Sequence, residues 1–210
     1  MYQIIDNIIY IIILSTLLIS VVAWMNEEMR NTWIGHPYST YFHGEWYRLL
    51  TAGLVHIDLL HLFFNLYVFY SFSRLVGRCL ELTCGQWSGA LFVLLYVGAI
   101  LSASLVLLFQ HRRDPYYYHI GASAGVTAMM TVAIVYFPYL PIGFFFLPID
   151  IPGIVFLTLY LLWNFLARNS ATGRESLSNF IGGIYGIVFV ACLRWREVIT
   201  FLHTSWQQHW

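Results

Sequence analysis

The sequence predicts an all-α, polytopic membrane protein: a single-domain bundle of six transmembrane helices whose first connection lies in the membrane interface. Three observations predict it. The 210 residues are 60% apolar and only 10% charged, more apolar surface than a water-soluble domain of this length can hide. Apolar runs recur at lengths close to the ~20 residues that cross a hydrocarbon core of ~30 Å. Between those runs gather the arginines, prolines and many of the aromatic residues. The formal net charge is zero and no basic block occurs, which argues against a nucleic-acid partner.

The first span runs from about Ile4 to Met25. It is long and lacks a basic n-region and an A-x-A site, so it reads as a retained helix rather than a cleavable signal. A semi-polar connection follows, Asn26 to about Tyr47, dense in aromatic residues such as Trp33, Trp46 and Tyr47. That composition suits a segment lying in the interface. The second span covers roughly Ile57 to Phe72, with Arg74 and Arg78 behind it. The third covers Trp87 to Phe109, closed by His111-Arg112-Arg113-Asp114-Pro115. The fourth begins near Gly121 and stops at Pro138. A short link punctuated by Pro141, Pro148 and Pro152 leads to the fifth, about Ile151 to Leu166. The sixth runs from about Asn179 to Leu193, before a Trp-rich amphipathic tail. The fourth and sixth spans read as short, as suits helices that start inside a water-filled cavity.

Within these spans the polar residues carry the information, because a charge at membrane depth costs ~2.5–3.5 kcal/mol on insertion scales. His56, Asp58, His61 and Asn65 cluster at the second span. His61 and Asn65 are four apart and share a helix face. Alone, such residues most often make interhelical hydrogen bonds worth ~0.6 kcal/mol. Ser123 sits in Gly121-Ala122-Ser123-Ala124-Gly125 at the start of the fourth span, where Gly121, Gly125 and Ala128 form a small-residue seam. Asn179, Gly182 and Gly186 fall on one face of the sixth, so the two helices can approach closely. All ten basic residues are arginine, which rules out a Ser–Lys dyad. Cys79, Cys84 and Cys192 show neither metal-ligand spacing nor a disulfide framework. The expected role of these cysteines is apolar filling, and neither a cofactor nor a metal is expected.

Taken together and in order, these segments resemble the signature regions of the rhomboid intramembrane serine proteases. Trp46-Tyr47-Arg48-Leu49-Leu50-Thr51 is similar to the family's W-R-x2-T block, with Tyr47 set before the arginine. His56, His61 and Asn65 match H-x4-H-x3-N, Gly121 to Ala124 is similar to G-x-S-G, and Asn179-Phe180-Ile181-Gly182-Gly183-Ile184-Tyr185-Gly186 resembles H-x2-G-x3-G. The resemblance covers about residues 46–186. It implies Ser123 as the nucleophile position and Asn179 at the general-base position. It further implies His61, Asn65 and the Ser123 backbone N–H as oxyanion donors, with His56 in the same block. It also implies cytoplasmic termini, which the arginine distribution does not support: Arg74, Arg78, Arg194 and Arg196 share the termini's side, and the other six arginines lie opposite.

Two departures bear on function. The family's base is a histidine, whereas the Asn179 amide has no basic nitrogen. Ala124 stands where relatives usually have glycine, and its methyl is expected to crowd an incoming carbonyl. The expected function is therefore a rhomboid scaffold without catalysis, a pseudoprotease that binds transmembrane-helix clients. The alternative is an active intramembrane serine endopeptidase, using another base or seen here as an inactivated variant. A channel or transporter fits less well, because matched intramembrane charges and inverted repeats are lacking. The partners expected are a transmembrane-helix substrate or client and membrane lipid, in a bacterial inner (plasma) membrane. The entrance is expected beside the fifth helix, at Phe156, Tyr160, Trp163 and Phe165. Ser123 and Asn179 are expected within hydrogen-bond reach of each other.

Overall fold

The chain was described from a computed structural model, which covers residues 2–144, 147–168 and 173–195. Six apolar helices carry the bundle: α1 (Tyr2–Met25), α5 (Leu59–Cys84), α6 (Ser88–His111), α7 (Ser123–Tyr136), α8 (Gly153–Ala167) and α9 (Gly173–Leu193). Between the first two lie the short helices α2 (Glu27–Trp33), α3 (Pro37–Phe42) and α4 (Arg48–Thr51). A two-stranded antiparallel hairpin, β1 (Pro141–Phe144) and β2 (Leu147–Pro152), precedes α8. At 24, 26, 24 and 21 residues, α1, α5, α6 and α9 are long enough to cross an apolar core; α7 and α8, at 14 and 15, are shorter.

The connection after α1 is tied down by backbone-directed bonds. Buried Arg48 pairs with Glu45 and donates from Nη1 to the carbonyls of Asn31 at 2.8 Å and Ile34 at 2.9 Å. The Thr51 hydroxyl donates to Trp33 O at 2.8 Å. Gly35 and His119 exchange two backbone bonds of 2.9 Å, which stitches this layer to the segment before α7. Meanwhile Tyr41, Phe42 and Trp46 stay exposed, as an interfacial layer requires. The W-R-x2-T block is thus a structural clamp on this face.

Three expectations change. The second helix does not stop near Phe72 but continues past Arg74 and Arg78 to Cys84. Gly77 stays helical, no proline or positive φ intervenes before Gly85 (φ +53), and long arginine side chains can reach out of an apolar layer. The sixth helix is not short. It starts at Gly173, because the polar stretch before Asn179 is helical although hydropathy alone does not mark it. The proline-punctuated link contains the hairpin, with Pro141 opposite Pro152 at its open end, where missing N–H groups do little harm. Positions 196–210, most of the expected Trp-rich tail, lie outside the described residues.

Helix α7 is buried continuously from Ala124 to Ile134, which marks the central helix of the bundle. Its small residues serve different neighbours rather than one seam. Gly121 meets His61 of α5, Gly125 meets Tyr96 of α6, and Ala128 meets Gly186 of α9. Gly182 presses against the backbone of Ala124, so closely that any added methyl would overlap it. Because 182 lies against 124 and 186 against 128, α7 and α9 run parallel, and Asn179 comes level with the start of α7.

Candidate active site

Asp58 caps α5 by accepting the His61 N–H at 2.7 Å, a side-chain cap that satisfies a donor the first turn leaves free. From there α5 presents His61 and Asn65 one turn apart, and the Asn65 amide donates to His61 O at 3.1 Å. Gly121 adopts φ +110, a conformation suited to glycine, and a methyl there would lie 3.0 Å from His61 Cε1. This turn lets Ser123 begin α7 with its backbone N–H free of any helical partner. His61, Asn65, Ser123 and Asn179 all line one cavity of about 250 Å³, shared with Thr127, Tyr160 and Glu175.

His56 lies behind this wall. Its ring stands edge-on to His61, with centroids 5.1 Å apart. Ser20 Oγ lies 2.9 Å from Leu54 O and 3.0 Å from His56 Nδ1. A hydroxyl that donates its one hydrogen to the carbonyl leaves its oxygen to accept from Nδ1–H, which fixes the tautomer. Burial, reinforced by His61, lowers the His56 pKa from 6.5 to about 4, against smaller opposing effects of Leu54 and Asp58. This imidazole is therefore neutral at neutral pH and braces His61 rather than facing the cavity.

Asn179 is held by α8. Its amide donates to Asn164 Oδ1 of α8 at 3.2 Å, not to Ser123, and its own Oδ1 is buried without a partner. Asn164 is buried in turn and donates to Tyr160 O at 2.8 Å. Sequence reasoning missed Asn164, although an amide inside Leu161-Leu162-Trp163-Asn164-Phe165 carries the same signal of a costly polar group that singled out Asn65. It also missed Glu175, one helical turn before Asn179 and exposed at the cavity. The Ala124 methyl does not crowd the site: Ala124 is 2% exposed and is not part of the cavity wall.

Phe64, Val68, Met130 and Phe156 line both the polar cavity and an apolar groove of about 460 Å³ between α5 and the β-hairpin end of α8. Of the four residues expected at an entrance, Phe156 and Tyr160 line the cavity, whereas Trp163 is exposed and Phe165 packs on Phe180.

Fold and cavity together define a helical membrane protein with a serine at a helix start beside a polar cavity. Residues 43–196 match the Rhomboid domain family, and the chain belongs to it as an integral membrane protein. It is also 30% identical over 113 residues to YdcA of Bacillus subtilis (strain 168), whose name marks it as a candidate rhomboid protease. That alignment covers 54% of this chain and 49% of YdcA, so the matched stretch spans about half of that relative.

Proposed function

We propose that this chain is a rhomboid-fold pseudoprotease that holds transmembrane-helix clients at the former protease site without hydrolysing them. One observation supports the reading above the others: Ser123 and Asn179 line the same cavity, and the side chain beside the nucleophile is an amide. Ser123 then keeps the reactivity of an ordinary alcohol, because nothing at position 179 can take its proton. The oxyanion set of His61, Asn65 and the Ser123 N–H is the part that survives. In serine proteases such donors are each worth ~3–4 kcal/mol in the transition state. A site stripped of its base keeps ~10³–10⁴-fold acceleration over water, too little for detectable turnover of a peptide bond. The apolar groove beside α5 and α8 supplies the surface on which a client helix would rest.

The test is labelling of Ser123 by a fluorophosphonate probe together with cleavage of a transmembrane substrate. The expected result is neither for the unmodified chain, with labelling gained by Asn179→His. Robust cleavage by the unmodified chain, abolished by Ser123→Ala, would overturn the proposal. A second reading, an active endopeptidase, draws on the Glu175 carboxylate and the His61 imidazole, which line the same cavity as Ser123. Under that reading, cleavage is present and is lost in Glu175→Gln or His61→Ala. A native histidine at 179 in the source gene would instead make this sequence an inactivated variant.

A further inference from the structure

At the opposite end of the bundle a second cavity, about 180 Å³, lies between α1 and α5 and is lined by Ile5, Asp6, Arg74, Gly77, Arg78 and Glu81. Helix rise places it: at 1.5 Å per residue, Arg74 lies about 20 Å and Arg78 about 26 Å along α5 from His61, where a ~30 Å core gives way to headgroups. Its floor is close-packed, with Ile5 of α1 pressed against Gly77 of α5. Ile4 and Leu82 beside it are exposed apolar residues, which places the cavity at a boundary between acyl chains and water.

Its charges are poorly matched among themselves. Arg74 Nε reaches Asp6 Oδ1 only at 3.9 Å, and its Nη1 lies 3.5 Å from Tyr70 OH. Among the described residues Arg78 makes no ion pair. Glu81 Oε1 is buried and has no hydrogen-bond partner, although Arg78 stands only three residues away on the same helix. A buried carboxylate oxygen is costly to leave without a donor. The cavity therefore lacks two things at once: an anion for the arginine forks and an N–H donor for Glu81.

We propose that this cavity binds a zwitterionic aminophospholipid headgroup, its phosphate on Arg74 and Arg78 and its ammonium on Glu81 and Asp6. Guanidinium groups suit phosphate because they offer paired donors in a fixed plane. A primary ammonium offers N–H donors to the two carboxylates. A choline headgroup has the charge but no N–H, and a glycerol headgroup has no cation. Phosphatidylethanolamine meets every term without the extra carboxylate that a serine headgroup would bring beside Glu81 and Asp6.

Native mass spectrometry of the full chain released from detergent tests this, with phosphatidylethanolamine, phosphatidylcholine and phosphatidylglycerol of the same acyl chains offered in equal amounts. The expected result is retention of phosphatidylethanolamine over either competitor by about fivefold, the scale of one near-surface charge contact. Glu81→Gln should abolish the preference over phosphatidylglycerol, whereas Glu81→Asp should keep it. Arg78→Gln should weaken retention of both phosphatidylethanolamine and phosphatidylglycerol. Equal retention of the three lipids, a preference for phosphatidylglycerol, or a preference that survives Glu81→Gln overturns the proposal. Soluble phosphoethanolamine retained as well as the lipid would reassign the cavity to a soluble zwitterion and overturn it as a lipid site.

Discussion

Asn179 places an amide in the cavity that Ser123 also lines. Its amide N–H finds a partner in Asn164 of α8, while its own Oδ1 stays buried without one. A double-mutant cycle of Asn164→Leu with Asn179→Leu should give a coupling of about 0.6 kcal/mol, the usual scale for such bonds in membranes, read from unfolding in detergent. Asn179→His should by itself be enough to restore fluorophosphonate labelling. The Ala124 methyl is off the cavity wall, so adding Ala124→Gly should bring no further gain; a strict need for both changes would contradict that geometry. Two loop histidines give a pH dependence. His56 and His119 each fall from 6.5 to about 4 in the folded chain, mainly through burial. Between those values the unfolded chain binds more protons, so stability is complete above pH 6.5 and is lost as pH falls toward 4. Thermal unfolding across that window should show the loss, and His56→Asn should remove only the His56 share of it. The candidate residues themselves were legible in the sequence, because a polar side chain in an apolar run stands out. Partners were not: nothing in a linear spacing reveals that the Asn179 amide bonds to Asn164.

Among the elements, the α7–α9 contact sets the site. Gly182 touches the Ala124 backbone, so Gly182→Ala must push the helices apart. A loss of about 1–3 kcal/mol, typical of overpacking, is expected in detergent unfolding, and the displacement should also abolish any labelling gained by Asn179→His. An unchanged stability would show the contact to be loose. The groove between α5 and α8 makes the corresponding prediction for binding. A photo-crosslinker at Phe156 should capture a membrane-helix partner, whereas one at Trp163, exposed but off the cavity, should capture it poorly. Equal capture at both positions would indicate lipid-facing collision rather than a route. The course of α5 and α9 was harder to read than their existence. Hydropathy ended α5 near Phe72 and began α9 at Asn179 because it scores side chains one by one. The backbone continues its hydrogen bonds through arginine, glutamate, serine and even internal glycines, and α5 ends only where Gly85 takes a positive φ.

The whole molecule is a membrane bundle with two unlike ends: a clamped aromatic layer over the serine cavity, and an arginine–carboxylate cavity on the opposite face. If the termini are cytoplasmic, Tyr116 faces outward and Leu82 inward; both are more than 80% exposed. In a cysteine-free background, Tyr116→Cys should react with an impermeant maleimide in intact cells, and Leu82→Cys only after permeabilisation. The reverse pattern would invert the topology. The sequence by itself determined that the chain enters a membrane, the order of its apolar helices and most of the polar residues that line the cavity. These follow from transfer free energy and helical period, which are local properties. Only the tertiary structure decided that Asn179 bonds to Asn164, that His56 braces His61 from behind, that Ala124 turns away from the cavity, and that Arg78 and Glu81 share a cavity without pairing. Each depends on the rotation of one helix about its axis relative to its neighbours, and glycine-to-backbone packing between helices fixes that rotation.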